Sequence, residues 1–148
     1  MDLRILHELQ LDGRLSNQDL ADRVGLSPSA CLRRVRQLEE SGVIEGYRAI
    51  LNAAAVGMPI TAFVRISIGA HDAEVVTAVE EQIRSIPEVV EAHLLAGDSD
   101  YQLKVAVGSF EQYEKLLREQ FRNLPSVTGI LTTFAFAVTK TPAPLSLD

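Results

Sequence analysis

The sequence has one cysteine and no tryptophan, and aromatic residues make up only 5% of its 148 positions. With Cys31 as its one cysteine, the chain excludes an intrachain disulfide and a metal centre built from several cysteines. No apolar run approaches the roughly 20 residues that a membrane-spanning helix needs. The acidic start Met1-Asp2 is not typical of a signal peptide. We therefore expect a cytoplasmic protein with an aliphatic core, no membrane contact, no cofactor and no metal site.

The net charge of −6 gives no general attraction to nucleic acid, but the charge is unevenly distributed. Residues 1–51 carry seven arginines against eight acidic residues, whereas the remainder carries seven basic and twelve acidic residues. The stretch 24–38 contains no acidic residue and includes Arg33, Arg34 and Arg36. The sequence therefore predicts a local basic patch at these arginines, although the protein as a whole is acidic.

Apolar periodicity predicts three helices in the first 42 residues. Ser16 is a suitable N-cap for the second helix, and Gly25 suits its end. Ser27 and Pro28 are favoured at the start of the third helix, which we expect to run to Ser41. Its predicted buried face comprises Cys31, Leu32, Val35 and Leu38. Because only a three-residue turn separates the second and third helices, the pattern indicates a helix-turn-helix.

The third helix is the predicted DNA-contacting element, because the second helix of such a motif enters the major groove. Guanidinium groups match phosphate oxygens and the guanine edge with two hydrogen bonds each. A helix N-terminus also offers N–H groups to a phosphate. An alternative is that the arginines form a solvated face paired with Glu39 and Glu40. The predicted DNA-binding residues are Ser27, Pro28, Ser29, Arg33, Arg34 and Arg36.

From Ile60 onward the pattern alternates between strands and helices. Asp72 and Ser109 are predicted helix N-caps, and Pro87 and Pro125 are predicted stops. The predicted strands are 60–68, 89–96, 101–107 and 130–139, with a hairpin turn over Gly97–Asp100. The order strand-helix-strand-strand-helix-strand is the ferredoxin-like βαββαβ arrangement, so the fold class is α+β.

One face of this sheet should be covered by the two helices, and the other should lie open. We expect Phe63, Val89 and Leu95 on the open face. An apolar open sheet face is typical of an interaction surface. The pattern therefore favours a homodimer formed through sheet faces.

The sequence resembles the Lrp/AsnC, or feast/famine, family of bacterial and archaeal regulators. The resemblance is carried by DGRLS at 12–16, VGLSPS at 24–29, CLRRV at 31–35, Gly46-Tyr47 and GDSDY at 97–101. It implies a winged helix-turn-helix domain with an extended linker over 1–51, and a ferredoxin-like effector-binding and oligomerisation domain over 52–148. It also implies an amino-acid effector bound between subunits, and homodimers that assemble into higher oligomers such as octamers.

In that family the segment matching GDSDY lies beside the effector pocket. The implied effector-binding residues are Gly97, Asp98, Ser99, Asp100 and Tyr101, with Thr132 and Thr133 on the last strand as weaker candidates. A carboxylate can hold an α-ammonium group, and N–H groups in a glycine turn can hold an α-carboxylate. Alternatively, these are ordinary hairpin and strand residues.

The function predicted from these features is a sequence-specific, DNA-binding transcriptional regulator whose oligomerisation or DNA binding responds to a small molecule, and the resemblance implies that this effector is an amino acid. The alternative is a siroheme-decarboxylase-like enzyme on the same two-domain fold, which would need histidine and arginine converging on a pocket. His7, His71 and His93 form no motif, and no catalytic set or phosphate loop is present. We therefore predict no catalytic residues.

Overall fold

Three helices occupy the N-terminal part of the chain in the computed structural model, which describes residues 2–147. They are α1 (Asp2–Leu11), α2 (Asn17–Val24) and α3 (Pro28–Glu40). The described residues up to Ile50 form one packed unit together with those from Thr139 onward, and Leu51–Val138 form another. The predicted domain boundaries place residues 139–147 in the second domain instead. Met1 and Asp148, the outer ends of the two predicted domains, lie outside the described residues.

Local capping explains where α2 and α3 begin and end. The Ser16 hydroxyl accepts a hydrogen bond from the Asp19 N–H at 3.1 Å, and the Ser27 hydroxyl accepts one from the Ala30 N–H at 3.3 Å. Gly25 ends α2 with φ 72°, a left-handed conformation that favours glycine. The turn between the two helices is therefore encoded in the sequence itself.

The core of this unit is small and aliphatic. Its buried members are Ile5, Leu20, Ala21, Val24, Cys31 and Leu38. Val35 packs against them, but Leu32 is 39% exposed, so its predicted burial was wrong. The side chains of α1 and α2 cover only the part of α3 that carries Cys31 and Leu38. The buried face of α3 is therefore narrower than its apolar periodicity predicts, and Leu32 lies outside it.

The second unit contains a four-stranded antiparallel sheet with strand order β2-β3-β1-β4. Its elements are β1 (Ile60–Ile68), α4 (Ala73–Ser85), β2 (Val89–Leu94), β3 (Tyr101–Val107), α5 (Phe110–Glu119) and β4 (Val127–Phe134). This order confirms the predicted βαββαβ fold. The described residues contain no helix that is both long and apolar enough to cross a membrane.

Two strands have bounds that differ from the prediction. β4 begins at Val127 and ends at Phe134, where we expected 130–139. The N–H of Ala135 still donates to the Thr61 carbonyl at 2.9 Å, but β1 begins at Ile60 and leaves no strand for residues as far as 139 to pair with. β2 ends at Leu94 instead of 96, because the N–H of Leu95 already donates to the Asp100 carbonyl at 2.8 Å and closes the loop.

The two faces of the sheet have different environments. The even-numbered residues of β1 from Ala62 to Ile68 are buried in the core with side chains from α4 and α5. On the opposite face, Phe63 is 38% exposed and Leu131 is 53% exposed. Val89 packs against the core, so its predicted position on the open face was wrong, and Leu95 lies in the loop after β2. The register shift between Val89 and Glu91 explains this error, since strict alternation fails at a bulge.

Candidate DNA-binding surface and effector loop

The outward face of α3 presents two unpaired cations. Arg33 and Arg36 are exposed, and neither makes an ion pair within the part of the chain that the structure describes. Their spacing of three residues places them on the same side of the helix. Glu39, one of the acids that could have paired with them, instead accepts a hydrogen bond from the Tyr47 hydroxyl at 3.1 Å. Two guanidinium groups are therefore available to an anionic partner.

Arg34 has a different environment from its neighbours. Its Nη1 atom lies 2.8 Å from Oδ1 of Asp2, and its side chain is 36% exposed. This ion pair joins α3 to the start of α1. Arg34 therefore has its charge partly compensated inside the helical unit.

The beginning of α3 is held in place by α2. The Asn17 side-chain amide donates to the Pro28 carbonyl at 2.8 Å, and the Ser27 and Ser29 hydroxyls lie 3.3 Å apart. Ser27, Pro28 and Ser29 are all exposed, so this turn presents its hydroxyls to solvent. Asn17 is absent from the predicted DNA-binding residues, because a polar residue after an N-cap gives no periodic pattern that indicates a contact 11 residues away.

The loop after β2 is organised by the Asp100 carboxylate. Its Oδ2 accepts a hydrogen bond from the Ile68 N–H at 2.8 Å, and its Oδ1 lies 2.7 Å from Nε2 of His71. The bond from Ile68 and then the contact with His71 hold the pKa of this carboxyl below its ordinary value. The Asp100 N–H also donates to the Ile66 carbonyl at 2.9 Å. Asp100 therefore fastens the loop to β1 and to the segment before α4.

The tip of the loop is less constrained. Gly97 and Asp98 are exposed and Ser99 is half-buried. Between residues 2 and 147, none of the three has a hydrogen bond or ion pair. The tip therefore offers backbone N–H groups and one uncommitted carboxylate, the two complementary groups that an amino-acid zwitterion requires.

Tyr101 points into the protein instead of toward the loop tip. Its side chain is buried, and its hydroxyl has no hydrogen-bond partner among the described residues. Burial, followed by the charges of Glu80 and Asp100, raises the pKa of Tyr101. The side chain lines a cleft of about 440 Å³ between α4 and β2, together with Glu80, Arg84 and His93.

The two threonines of β4 lie apart from the loop and on opposite faces of the sheet. Thr132 pairs with Val64 in the register, faces the helices and hydrogen-bonds the Tyr113 hydroxyl. Thr133 pairs with Phe63 on the open face. Since β1 lies between β3 and β4, two inter-strand spacings, roughly 10 Å, separate these threonines from Tyr101. One protomer therefore does not bring all seven predicted effector residues together.

The histidines do not converge on a common site. His71 contacts Asp100, His93 contacts Glu91 at 2.5 Å, and His7 is exposed on α1 in the other unit. Over residues 2–147, no group of three or more histidine, cysteine or acidic side chains could hold a metal ion.

Comparisons with known proteins match both units of the chain. Residues 61–145 match the Lrp/AsnC ligand-binding domain, and residues 1–45 match a winged helix-turn-helix DNA-binding domain. The leucine-responsive regulatory proteins of Haemophilus influenzae and Escherichia coli K12 are each 42% identical over 132 residues, which cover 89% of this chain and 80% of each relative. The chain belongs to the Lrp/AsnC family of transcriptional regulators.

Solved Lrp/AsnC structures have the same architecture over nearly the whole chain. A transcriptional regulator from Neisseria meningitidis in complex with L-methionine superposes with a TM-score of 0.92 at 32% identity, covering 99% of this chain and 95% of that one. An AsnC-family regulator from Agrobacterium tumefaciens superposes with a TM-score of 0.91 at 34% identity and the same coverage. This Lrp/AsnC protein is thus a transcriptional regulator with an N-terminal helix-turn-helix and a C-terminal ligand-binding domain.

Proposed function

We propose that this regulator binds duplex DNA through α3 and that an amino acid bound at the Gly97–Tyr101 loop controls the binding. The observation that supports the DNA-binding role most strongly is the exposed, unpaired pair Arg33 and Arg36 on the outward face of α3. In this proposal their guanidinium groups contact base edges in the major groove. Ser27, Pro28, Ser29 and Arg34 contact the phosphate backbone and orient the helix.

In the effector site, we assign different roles to the two aspartates of the loop. Asp98 binds the α-ammonium group of the effector, because its carboxylate is exposed and uncommitted. The backbone N–H groups of Gly97 and Ser99 bind the α-carboxylate. Asp100 and Tyr101 act indirectly, by fixing the loop and the end of β3.

We propose that Thr133, which is exposed on the open face and lies two strands away from the loop of its own protomer, completes the pocket of another protomer. Thr132 acts indirectly, because its bond to the Tyr113 hydroxyl fixes β4 on the helix face. A site shared between protomers would link effector binding to assembly. The methionine complex of the Neisseria regulator and the leucine-responsive relatives favour an effector with an apolar side chain.

The proposed assembly starts with a homodimer formed through the open sheet faces, with Phe63 and Leu131 at the interface. Dimers then associate further, and an octamer is the expected size. Several linked helix-turn-helix units would compensate by avidity for the acidic charge of each protomer.

Such a regulator acts in the cytoplasm and needs no catalytic activity. His71 and His93 each contact a different acidic residue, and this arrangement favours the regulator over a decarboxylase.

The proposed function is tested by fluorescence anisotropy with duplex DNA from upstream of the protein's own gene. The titration is run at two salt concentrations, with and without a pool of amino acids. We expect salt-dependent binding whose affinity changes with the pool. If the protein binds this DNA at neither salt concentration, the proposed DNA binding is rejected. Turnover of a tetrapyrrole would then favour the siroheme-decarboxylase-like enzyme.

The effector site is tested separately by isothermal titration with individual amino acids. We expect Asp98→Ala to weaken binding of the effector by about tenfold or more, because it removes a charge-assisted hydrogen bond. Asp22→Ala on α2 is the matched control and should bind as the wild type does. Unchanged affinity in Asp98→Ala would show that the ammonium group binds elsewhere.

A further inference from the structure

The last residues of the chain are bound to the first helix. Gln10 lies near the end of α1, and its side-chain amide makes two hydrogen bonds with the main chain of Leu145. Its Oε1 accepts from the Leu145 N–H at 2.7 Å, and its Nε2 donates to the Leu145 carbonyl at 3.2 Å. These bonds join positions 135 residues apart. One amide that satisfies both main-chain groups of a single residue fixes the position of that residue.

Apolar side chains extend this contact beyond the two hydrogen bonds. Leu145 and Leu147 line a groove of about 470 Å³ together with Leu6 and Leu9 of α1. The linker, defined as residues 41–59 between α3 and β1, lines the same groove with Val43, Ile44 and Tyr47. Leu147 is half-buried, although the Leu145 side chain itself is 74% exposed. The tail, defined as residues 139–147, is therefore held by its main chain at Leu145, and Leu147 lies half-buried beside the groove.

The tail and the linker are attached to neighbouring points of the ligand-binding domain. The linker enters the sheet at Ile60, the first residue of β1, and β4 ends at Phe134 beside it. The N–H of Ala135 donates to the Thr61 carbonyl at 2.9 Å, so both connections start at the same end of adjacent strands. Pro142 and Pro144 restrict the backbone between this point and Leu145.

We propose that the tail is an intramolecular strap that transmits the effector response from the ligand-binding domain to the helix-turn-helix. This inference rests on the proposed function. The linker joins the ligand-binding domain to the DNA-binding unit covalently, and the tail adds a second, non-covalent connection through its hydrogen bonds with Gln10 of α1. In this proposal, a change in the position of the end of β4 is passed along residues 135–144 to Leu145, and from there to Gln10 of α1. Coupling of this kind requires only that effector binding favours one arrangement of the strap.

The anchor itself is tested by hydrogen exchange measured by mass spectrometry on the full-length protein. Gln10→Ala removes both hydrogen bonds, so we expect tail amides, Leu145 above all, to exchange about five- to tenfold faster than in the wild type. Gln18→Ala is the matched control, because Gln18 bonds only to Asp22 on its own helix among the described residues. Equal exchange in the wild type and Gln10→Ala would overturn the anchor.

The signalling role is tested by DNA-binding anisotropy with the amino-acid pool. We expect Gln10→Ala to bind DNA within about threefold of the wild type without effector, since the coupling and not the α3 surface is altered. The effector-induced change in affinity should fall toward none, and Gln18→Ala should keep it. A full response in Gln10→Ala would overturn the strap. If the wild type binds no DNA, the proposed function and the signalling role fail together, while hydrogen exchange still reports whether the anchor exists.

Whether the strap is intramolecular is decided by crosslinking. In the Glu45→Cys/Leu145→Cys variant both new thiols border the groove, and Gln10 keeps its bonds because they are made to the main chain of Leu145. The native Cys31 is fully buried, and burial also raises its pKa, so we expect it to react much more slowly than the new thiols. A short bis-maleimide should give a product that migrates as a single chain on a denaturing gel. A covalent dimer would show that the groove takes the tail of a second copy, and the absence of any product would contradict the contact.

Discussion

At the scale of single residues, Asp100 shows that a residue of the family motif can have a structural role. Both of its carboxylate oxygens are engaged inside the protomer, by the Ile68 N–H and by His71. The motif identified Asp100 in the sequence, but its partners are 32 and 29 residues away and had no signal of their own. Asp98, two residues earlier, has the exposed carboxylate that a ligand can reach.

The lowered pKa of Asp100 predicts a specific pH dependence of stability. A carboxyl with a lowered pKa in the folded state stabilises the fold at all pH values above its ordinary pKa of 3.8. This stabilisation is lost as the pH falls through the folded-state pKa. We expect Asp100→Asn to lower the urea midpoint at pH 7, and we expect its difference from the wild type to shrink below the ordinary pKa. Unfolding curves from pH 7 to pH 2 measure this difference.

The control for this experiment is Asp98→Asn, which removes a carboxylate without a hydrogen-bond partner among the described residues. The urea midpoint of Asp98→Asn should differ little from that of the wild type between pH 7 and pH 2. If the urea midpoint of Asp100→Asn is lower than that of the wild type by the same amount at every pH, the carboxylate charge does not account for the stabilising role of Asp100.

At the scale of elements, locally determined features were predicted correctly and features set by distant partners were not. The caps at Ser16 and Ser27 and the glycine end of α2 depend on residues within one turn, and the sequence predicted all three. The end of β4 depends on where β1 begins, and the inward position of Val89 depends on a bulge. Neither is visible in the periodicity of a single segment.

The helix-turn-helix is predicted to depend on Gly25. A side chain at φ 72° is strained, so Gly25→Ala should destabilise the N-terminal unit by roughly 1 kcal/mol or more. Gly97→Ala is the matched control, because Gly97 lacks a positive φ and a β-carbon there would meet no atom within 4 Å. Thermal unfolding of both variants measures the difference. Equal midpoints would show that the turn tolerates a β-carbon and that its geometry is set elsewhere.

At the scale of the whole molecule, the open face of the sheet is the feature that a single protomer leaves unexplained. Phe63 and Leu131 are exposed there beside Arg65 and Lys104, which their strands place on the same face. An apolar centre with a polar rim is the composition of a protein interface. Assembly through this face would also let one protomer complete the effector site of another.

We predict that Phe63→Asp weakens or abolishes the dimer, because it places an unpaired charge in the centre of the proposed interface. Val56→Asp, at a side chain that is 53% exposed in the same unit, is the control and should assemble like the wild type. Sedimentation equilibrium measures the mass of each variant. If Phe63→Asp forms an assembly of the same mass as the wild type, the interface lies elsewhere on the protomer.

The central claim is that the outward face of α3 reads DNA, and the Arg33→Ala/Arg36→Ala double variant tests it most directly. Anisotropy titrations at two salt concentrations should show a loss of about 1–3 kcal/mol for each base contact removed, while the charge-matched Lys115→Ala/Arg118→Ala variant of α5 binds as the wild type does. Wild-type affinity in the Arg33/Arg36 variant would contradict the account, because DNA would then be bound by another surface.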